Sequence, residues 1–135
     1  MQRKLLAIVA ADMVGFSRLV ESNEIEILKR QKKHFIEIIK PTVDKYTGRI
    51  IKTTGDGFLA TFKSSMSAVE SSLIIQSKIN ELESMFNNDK RIWYRFGINI
   101  GDVVIDEDDI FGNSVNIASR LESIADPGGI SITHD

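Results

Sequence analysis

Cysteine is absent from this chain of 135 residues, so disulfide bonds and thiolate metal ligands play no part in it. A long apolar run is missing too, because the apolar stretch over residues 4–11 is far shorter than the roughly 20 residues of a membrane-spanning helix. Neither sign of charge dominates: 17 basic and 19 acidic residues leave a formal charge of −2. This balance gives no reason to expect nucleic-acid or membrane binding. These absences predict a cytoplasmic protein, or a cytoplasmic piece of a larger one.

The hydrophobic content of 42% is sufficient for one domain with a core. Hydrophobic periodicity predicts strands over residues 4–12, 49–54, 58–62, 92–105 and 130–133. It predicts helices from Asn23 to Val43 with a kink or restart at Pro41, from Ser64 or Ser65 to Phe86, and in the 110s. The predicted apolar stripes consist of Ile25, Leu28, Phe35, Ile36, Ile39 and Val43 in the first helix, and Met66, Val69, Leu73, Ile75, Ile79, Leu82 and Phe86 in the second.

The order of these elements predicts the fold class. Up to residue 105 it is strand, helix, strand, strand, helix, strand, which is the βαββαβ order of the ferredoxin-like α+β fold. That fold has an antiparallel sheet with its helices on one face. A further helix and strand follow this core.

Two aspartates lie at strand ends that this topology brings together. Asp12 ends the first strand, and Asp56 lies in the turn between the second and third strands. The first strand neighbours that hairpin in a ferredoxin-like sheet, so we expect the two carboxylates to lie close together. Carboxylate oxygens suit Mg²⁺ or Mn²⁺, and two of them suffice when substrate phosphates supply further ligands. Either residue alone could be a cap or a turn former; the pair predicts a metal site.

The stretch over residues 109–120 is predicted to be a helix with an apolar and a polar face. Val115 and Ala118 lie on the apolar face, whereas Asn116 and Arg120 lie on the polar face, four residues apart. At that spacing a carboxamide and a guanidinium can reach one ligand, and a guanidinium suits a phosphoryl group. An ordinary solvated helix face has the same pattern, so this spacing alone leaves both interpretations open.

Four motifs, taken together and in this order, resemble a known family. They are Ala-Asp-Met-Val-Gly-Phe-Ser at 11–17, Lys-Thr-Thr-Gly-Asp-Gly at 52–57, Gly-Ile-Asn-Ile-Gly at 97–101, and the stretch at 109–120. From about residue 3 to residue 133 the chain resembles the catalytic domain of class III nucleotidyl cyclases, which includes adenylyl and guanylyl cyclases. Its first motif particularly resembles bacterial cyclases in which this domain is joined to other domains of the same polypeptide.

The resemblance implies a role for each site residue. Asp12 and Asp56 match the aspartates that bind two Mg²⁺ or Mn²⁺ ions, and the backbone carbonyl of Met13 completes that shell. Lys52 and Asp109 match the pair that reads adenine, with the lysine donating to a ring nitrogen and the aspartate accepting from the exocyclic amine. Guanylyl cyclases generally carry an acidic residue and a small polar or thiol residue at these two positions.

The implied substrate is therefore ATP, and the implied products are 3′,5′-cyclic AMP and pyrophosphate. Asn116 matches the residue that orients the ribose, and Arg120 matches the one that stabilises charge on the phosphate undergoing transfer. Such a transfer relies on positioning and charge neutralisation, so it needs no side-chain nucleophile. His34 and His134 form no convincing catalytic arrangement and are interpreted as surface or structural residues.

The resemblance also implies a head-to-tail homodimer. In the family one chain supplies the metal aspartates, and the other supplies the purine-reading pair and the residues that match Asn116 and Arg120. Lys52 and Asp56 lie too close together across the hairpin bend to serve the purine and metals of one nucleotide with ease. The family domain continues beyond residues 130–133 with a strand pair and a basic residue that grips the triphosphate. Residues 1–135 are therefore interpreted as one cyclase domain without its C-terminal segment.

Two other functions fit parts of the sequence. A catalytically silent cyclase-like domain could act as a regulatory or dimerisation module, although the intact set of site residues argues against it. A diguanylate cyclase shares the sheet topology and a two-metal site. Its hairpin carries Gly-Gly-acidic-Glu-Phe, whereas this hairpin reads Thr-Gly-Asp-Gly-Phe and lacks the second acidic residue.

Overall fold

The computed structural model describes residues 1–133, and His134 lies outside the described residues. The elements in chain order are β1 (Gln2–Met13), α1 (Phe16–His34), a π-helical turn (Phe35–Ile39), α2 (Lys40–Lys45), β2 (Arg49–Thr53), β3 (Gly57–Phe62), α3 (Ser65–Glu83), β4 (Tyr94–Asp106), β5 (Asp109–Phe111), α4 (Asn113–Ile124) and β6 (Ile130–Thr133). Within residues 1–133, no helix combines the length and apolar character that crossing a bilayer would require.

The strands form one sheet with the order β2-β3-β1-β4-β5, and β6 lies beside β4. β1 pairs antiparallel with β3 and with β4, whereas β6 pairs parallel with β4. The predicted ferredoxin-like core is therefore confirmed, including the position of the first strand next to the hairpin. This order places Asp12 directly opposite Gly57 on β3 and opposite Arg95 on β4.

The two faces of the sheet are covered by different helices. Side chains alternate along β1, so Val9 and Ala11 pack into the core formed with α1 and α3, whereas Ile8 and Ala10 pack on the side of α4. The helices of the βαββαβ core thus lie on one face, as predicted, and the additional helix α4 covers the other. By the same alternation Asp12 belongs to the α4 face.

The first helix differs from its prediction. It begins at Phe16 instead of Asn23, and Asn23 marks a kink with φ −165° and ψ 84°. The side chain of Asn23 nevertheless caps the helical segment that follows it, because its Oδ1 accepts a hydrogen bond of 3.3 Å from the Glu26 N–H. The chain therefore restarts its helix at Asn23, having already completed nearly two turns before it.

The predicted apolar stripes are wrong in part. Ile25, Leu28 and Ile36 are exposed, and so are Met66 and Leu73 of α3. The kink rotates the helical phase, so that Ile27 faces the core in place of its neighbours. At the other end of the helix the predicted break is confirmed: a π-helical turn precedes Pro41, which lies in the first turn of α2. The helix α3 starts at Ser65, within the predicted range, and Ser64 caps it, because the Ser67 N–H donates to the Ser64 Oγ at 3.1 Å.

The stretch predicted as a helix over 109–120 is in fact a short strand followed by a helix. Asp109–Phe111 forms β5 and pairs with the end of β4, and α4 begins only at Asn113. Glu107 reverses the chain in a left-handed conformation (φ 56°). A glutamate is unusual at the positive-φ position of a turn, and the helix prediction also ran through Gly112, which has φ 139° and directly precedes α4.

A buried polar network ties the helices of one face together. Glu83 receives contacts from the Arg30 guanidinium and the His34 imidazole, with the His34 Nε2 at 3.0 Å from Oε2. The Ile92 N–H also donates to Glu83 at 2.8 Å, and His34 Nδ1 lies 3.0 Å from the Tyr94 hydroxyl. Burial alone would raise the pKa of Glu83, but these hydrogen bonds outweigh burial and lower it. His34 is thus structural, as interpreted from the sequence.

Candidate active site

Asp12 and Asp56 come together at the edge where β1 leaves the sheet. The Met13 N–H donates to the Asp56 carbonyl at 2.7 Å, which holds the hairpin tip against the end of β1. Gly57 permits this approach, because a Cβ atom there would lie 1.8 Å from the Ala11 carbonyl oxygen. The spatial adjacency expected from topology is therefore present.

A cavity of about 430 Å³ opens between this edge and α4. Asp12, Asp56 and Lys52 line it from the sheet, and Val115, Ser119 and Glu122 line it from the helix. The Thr54 hydroxyl also donates to Asp56 Oδ1 at 3.3 Å. The cavity therefore presents carboxylates at one end and a lysine ammonium on the same wall.

Glu122 is the site residue that sequence reasoning missed. Its side chain is 7% exposed, and its pKa is raised to about 8 by burial, by a hydrogen bond with Asp12 and by the charges of Asp12 and Asp56. A signal was available: Glu122 lies four residues after Ala118 and so continues the buried stripe of α4 with a carboxyl group.

Arg95 is a second cation on this face of the sheet. It lies opposite Asp12 in the β1–β4 register, and its charge opposes the rise in the pKa of Glu122. Its Nε is buried and has no hydrogen-bond partner among residues 1–133. The alternation of side chains along β4 indicates the face on which Arg95 lies. Tyr94 and Phe96 face the other core, so Arg95 lies on the α4 side.

The donor set around Asp12 fits a hard divalent cation. Two carboxylates converge there, and a third carboxyl, that of Glu122, has its pKa raised first by burial and then by contact with Asp12 and by the negative charge of both aspartates. In the described part of the chain, no group of three or more Asp, Glu, His or Cys side chains is arranged to hold a metal ion by itself. Magnesium commonly uses one or two carboxylates plus substrate phosphates, so the residues present fit a metal that arrives with a nucleotide.

Lys52 and Asp109 contact each other although β2 and β5 lie at opposite ends of the strand order. Lys52 Nζ lies 3.2 Å from Asp109 Oδ1 and 3.3 Å from Oδ2. The pKa of Asp109 is lowered, chiefly by a hydrogen bond from the Ile110 N–H and also by the one from Lys52. The structure thus brings together a donor and an acceptor that the sequence predicts to act as a pair.

Lys52 also lines the cavity of Asp12 and Asp56 in the same chain. The separation of purine-reading and metal-binding residues between two chains therefore stays a prediction. Met13 likewise lies beside the aspartates, but its side chain is buried in the core on the opposite face, so only its backbone is available to a ligand.

Asn116 and Arg120 occupy the outer side of α4. Both are exposed, and neither lines the cavity that contains Asp12 and Asp56. Their helix turns Ala118 and Glu122 inwards, so residues two positions away point away from the sheet. Within one chain the structure does not bring these two residues to the aspartates.

Comparison of the sequence with known proteins places the chain in a family of catalytic domains. A family model described as the adenylate and guanylate cyclase catalytic domain matches residues 2–135. "Putative adenylate cyclase 3" from Rhizobium meliloti (strain 1021) is 39% identical over 132 residues, which cover 98% of this chain and 22% of that protein. This chain thus spans less than a quarter of that relative's length.

Solved structures agree with this match. The crystal structure of an adenylate/guanylate cyclase/hydrolase from Silicibacter pomeroyi superposes with a TM-score of 0.90 at 46% identity, covering 98% of this chain and 76% of that one. The adenylyl cyclase CyaB from P. aeruginosa superposes with a TM-score of 0.83 at 29% identity, covering 98% of this chain and 78% of that one.

Proposed function

The chain belongs to the adenylate and guanylate cyclase catalytic domain family, and from this premise we propose that it is an adenylate cyclase domain. The proposed reaction converts ATP to 3′,5′-cyclic AMP and pyrophosphate. The similar proteins from Rhizobium meliloti and P. aeruginosa, which are named adenylate or adenylyl cyclases, support this substrate class.

One observation carries the choice of ATP: the contact of Lys52 with Asp109. The edge of adenine carries a ring-nitrogen acceptor next to an amine donor, and an ammonium beside a carboxylate offers the complementary donor and acceptor. Guanine presents a carbonyl acceptor and a ring N–H donor along that edge, with its amine at another position. Once a bound nucleotide excludes water from this half-exposed pair, the wrong hydrogen-bonding edge would leave Lys52 and Asp109 without partners, which disfavours that nucleotide.

The proposed chemistry is an in-line transfer within one nucleotide. The ribose 3′-oxygen loses its proton to water and forms a bond to the α-phosphorus, while the bond from that phosphorus to the bridging oxygen breaks and its electron pair leaves with pyrophosphate. Asp12 and Asp56 would hold two Mg²⁺ or Mn²⁺ ions. When bound, such ions activate the attacking oxygen and neutralise charge on the leaving group.

The remaining site residues position the nucleotide and stabilise charge. Lys52 and Asp109 fix the purine, Asn116 orients the ribose, and the Arg120 guanidinium stabilises negative charge on the phosphate undergoing transfer. The Met13 backbone carbonyl is a further candidate oxygen ligand. None of these residues forms a covalent bond with the substrate, which agrees with a chain without cysteine.

We also propose that the active unit is a head-to-tail homodimer with two shared sites. The exposure of Asn116 and Arg120 on the outer side of α4, away from the aspartates of the same chain, supports this arrangement. In a two-fold dimer, Asn116 and Arg120 of each chain would lie beside the aspartates of the other chain, which gives two equivalent sites. Further domains of the same polypeptide are expected to regulate the activity, since this chain spans only part of its relative.

The experiment that tests this function identifies the product. The longest native chain that contains residues 1–135 is incubated with ATP or with GTP in the presence of Mn²⁺, and the nucleotides are separated and analysed by mass spectrometry. Cyclic AMP from ATP is the expected result. Cyclic GMP as the main product would replace the proposal with a guanylate cyclase, and no cyclic product from either nucleotide would favour the silent module.

A further inference from the structure

The motif Gly97-Ile98-Asn99-Ile100-Gly101 has no role in the proposed chemistry, yet it faces the helix that carries Asn116 and Arg120. Residues 97, 99 and 101 alternate on β4 and point to the α4 side, whereas Ile98 and Ile100 pack into the other core. We call these three residues, Gly97, Asn99 and Gly101, the β4 track.

The two glycines of the track let α4 lie directly on the strand. A Cβ atom on Gly97 would lie 2.2 Å from the Ala118 carbonyl oxygen and 2.3 Å from the Glu122 backbone nitrogen. A Cβ atom on Gly101 would lie 2.0 Å from the Ser114 hydroxyl oxygen. Both distances are far below van der Waals contact, so any larger residue at either position displaces the helix or its side chain.

Asn99 fixes the helix between these two points. Its side chain is 1% exposed, and its Nδ2 donates to the Ser114 carbonyl in the first turn of α4 at 3.3 Å. Its Oδ1 is buried and has no hydrogen-bond partner within residues 1–133. A buried acceptor without a partner destabilises a fold, and a leucine has nearly the same branched shape without this penalty. Packing alone therefore does not explain a carboxamide at this position.

The residues of α4 that contact the β4 track alternate along the helix with the two proposed catalytic residues. Ser114, Ala118 and Glu122 follow each other at intervals of four residues and lie along the track. Asn116 lies between the first two and Arg120 between the last two. A shift of α4 along or away from β4 therefore moves both side chains by the same amount.

We propose that the β4 track sets the position of α4, with Asn99 as the positioning residue for Asn116 and Arg120. The inference rests on the proposed function for its effect on catalysis, but the placement of the helix can be measured without any activity. Misplacing a catalytic group by about 1 Å can lower a rate about 100-fold, so small displacements of α4 suffice.

The first experiment compares Asn99→Leu with the wild type by hydrogen exchange and kinetics. We expect the backbone amides of residues 115–124 to exchange roughly tenfold faster, because the anchoring hydrogen bond is lost. We expect kcat to fall at least tenfold while the KM for ATP stays within about twofold, since the residues that bind the purine and metals lie elsewhere. Ile98→Val is the matched control: it alters the adjacent residue on the opposite face and should leave α4 exchange and kcat unchanged.

A second pair of variants tests the track by rescue. Gly101→Ala places a methyl group where the Ser114 hydroxyl lies, so it should speed exchange in α4 and lower kcat. Ser114→Gly removes the clashing atoms, and the double variant should regain most of the wild-type exchange protection and kcat. A general loss of stability at residue 101 would not be repaired by a change in α4.

Unchanged exchange of α4 in Asn99→Leu, or a double variant no better than Gly101→Ala, would overturn the inference. The two proposals fail separately. If α4 exchange responds as expected but even the wild type makes no cyclic nucleotide, the positioning of the helix by the track is supported and the proposed function is refuted. If cyclic AMP forms but kcat is insensitive to faster α4 exchange, the function stands and the positioning role is refuted.

Discussion

The raised pKa of Glu122 predicts how the free energy of unfolding changes with pH. The substitution Glu122→Gln tests this prediction. The glutamine keeps the volume and hydrogen-bonding shape of the glutamate but has no charge to bury. In the folded protein the pKa of Glu122 is raised from 4.5 to about 8, first by burial and then by its contact with Asp12. In the unfolded chain it returns to its ordinary value.

The direction in which Glu122 makes stability depend on pH follows from proton linkage. Between pH 4.5 and about 8 the folded protein binds more protons at Glu122 than the unfolded chain does. The contribution of Glu122 to stability is therefore fully present below pH 4.5 and is lost as the pH rises towards 8. Glu122→Gln lacks this loss, so the variant should be about as stable as the wild type at pH 5 and more stable at pH 8.

The size of this effect on the free energy of unfolding can be bounded from the two pKa values of Glu122. Moving a carboxyl pKa from 4.5 to about 8 corresponds to roughly 5 kcal/mol at full ionisation. Local relaxation and water penetration in the folded protein reduce this, so we expect an advantage of about 2–3 kcal/mol for the variant at pH 8. For a domain of this size that is a melting temperature roughly 8 °C higher.

The assay is thermal and urea unfolding from pH 5 to pH 9 in EDTA, because a bound cation would itself lower the carboxyl pKa. Glu70→Gln, which changes an exposed glutamate of α3, serves as the control and should track the wild type at every pH. A stability difference between Glu122→Gln and the wild type that does not grow with pH would refute the assigned environment of Glu122.

Three further predictions follow from the site and the buried network. Asp12→Asn and Asp56→Asn should each abolish Mn²⁺-dependent turnover while the far-ultraviolet circular dichroism stays native, and wild-type turnover in either variant would remove the metal assignment. ATP should be preferred over GTP in kcat/KM by at least about 100-fold because Lys52 and Asp109 form one donor–acceptor pair, and equal values would mean that these residues do not read the purine. Glu83→Ala should lower the free energy of unfolding by about 3 kcal/mol, since it leaves Arg30 and His34 buried without their acceptor, and a loss below about 1 kcal/mol in urea unfolding would contradict that account.

The order of the strands was predictable because it follows from connectivity. Once Gly55-Asp56-Gly57 was recognised as a hairpin turn, the ferredoxin-like order placed it beside the first strand, and the pairing of Asp12 with Gly57 agrees. Alternation along β4 was equally informative, since every second residue from Tyr94 to Ile98 is buried in one core.

The errors arose where a local signal had two structural outcomes. Asn23 is a good helix cap, and its side chain does cap, but it does so at a kink within a helix that had already begun. Periodicity counted from Asn23 therefore gave the wrong inward face for Ile25 and Leu28. The start of α4 was misplaced because the prediction ran the helix through Gly112, whose φ of 139° ends β5 and directly precedes α4.

The candidate site was predictable only in part, for a related reason. Topology and motif resemblance both predicted Asp12 and Asp56 as site residues, but neither assigned a role to Glu122 or Arg95. These residues reach the site through the packing of α4 on the sheet and through the β1–β4 register. Spacing and alternation in the sequence indicate the face of each residue, but they do not indicate which residues of the neighbouring element it meets.

Complementation between two inactive variants tests the central claim, an adenylate cyclase with sites shared between two chains. Asp12→Asn and Arg120→Ala are prepared in the longest native chain that contains residues 1–135, and each should be inactive alone. After subunit exchange about half of the dimers are mixed, and each mixed dimer has one of its two sites complete, so cyclic AMP formation should recover to roughly a quarter of the wild-type rate. No recovery at any mixing ratio, with subunit exchange verified independently by mass spectrometry, would contradict the shared-site account.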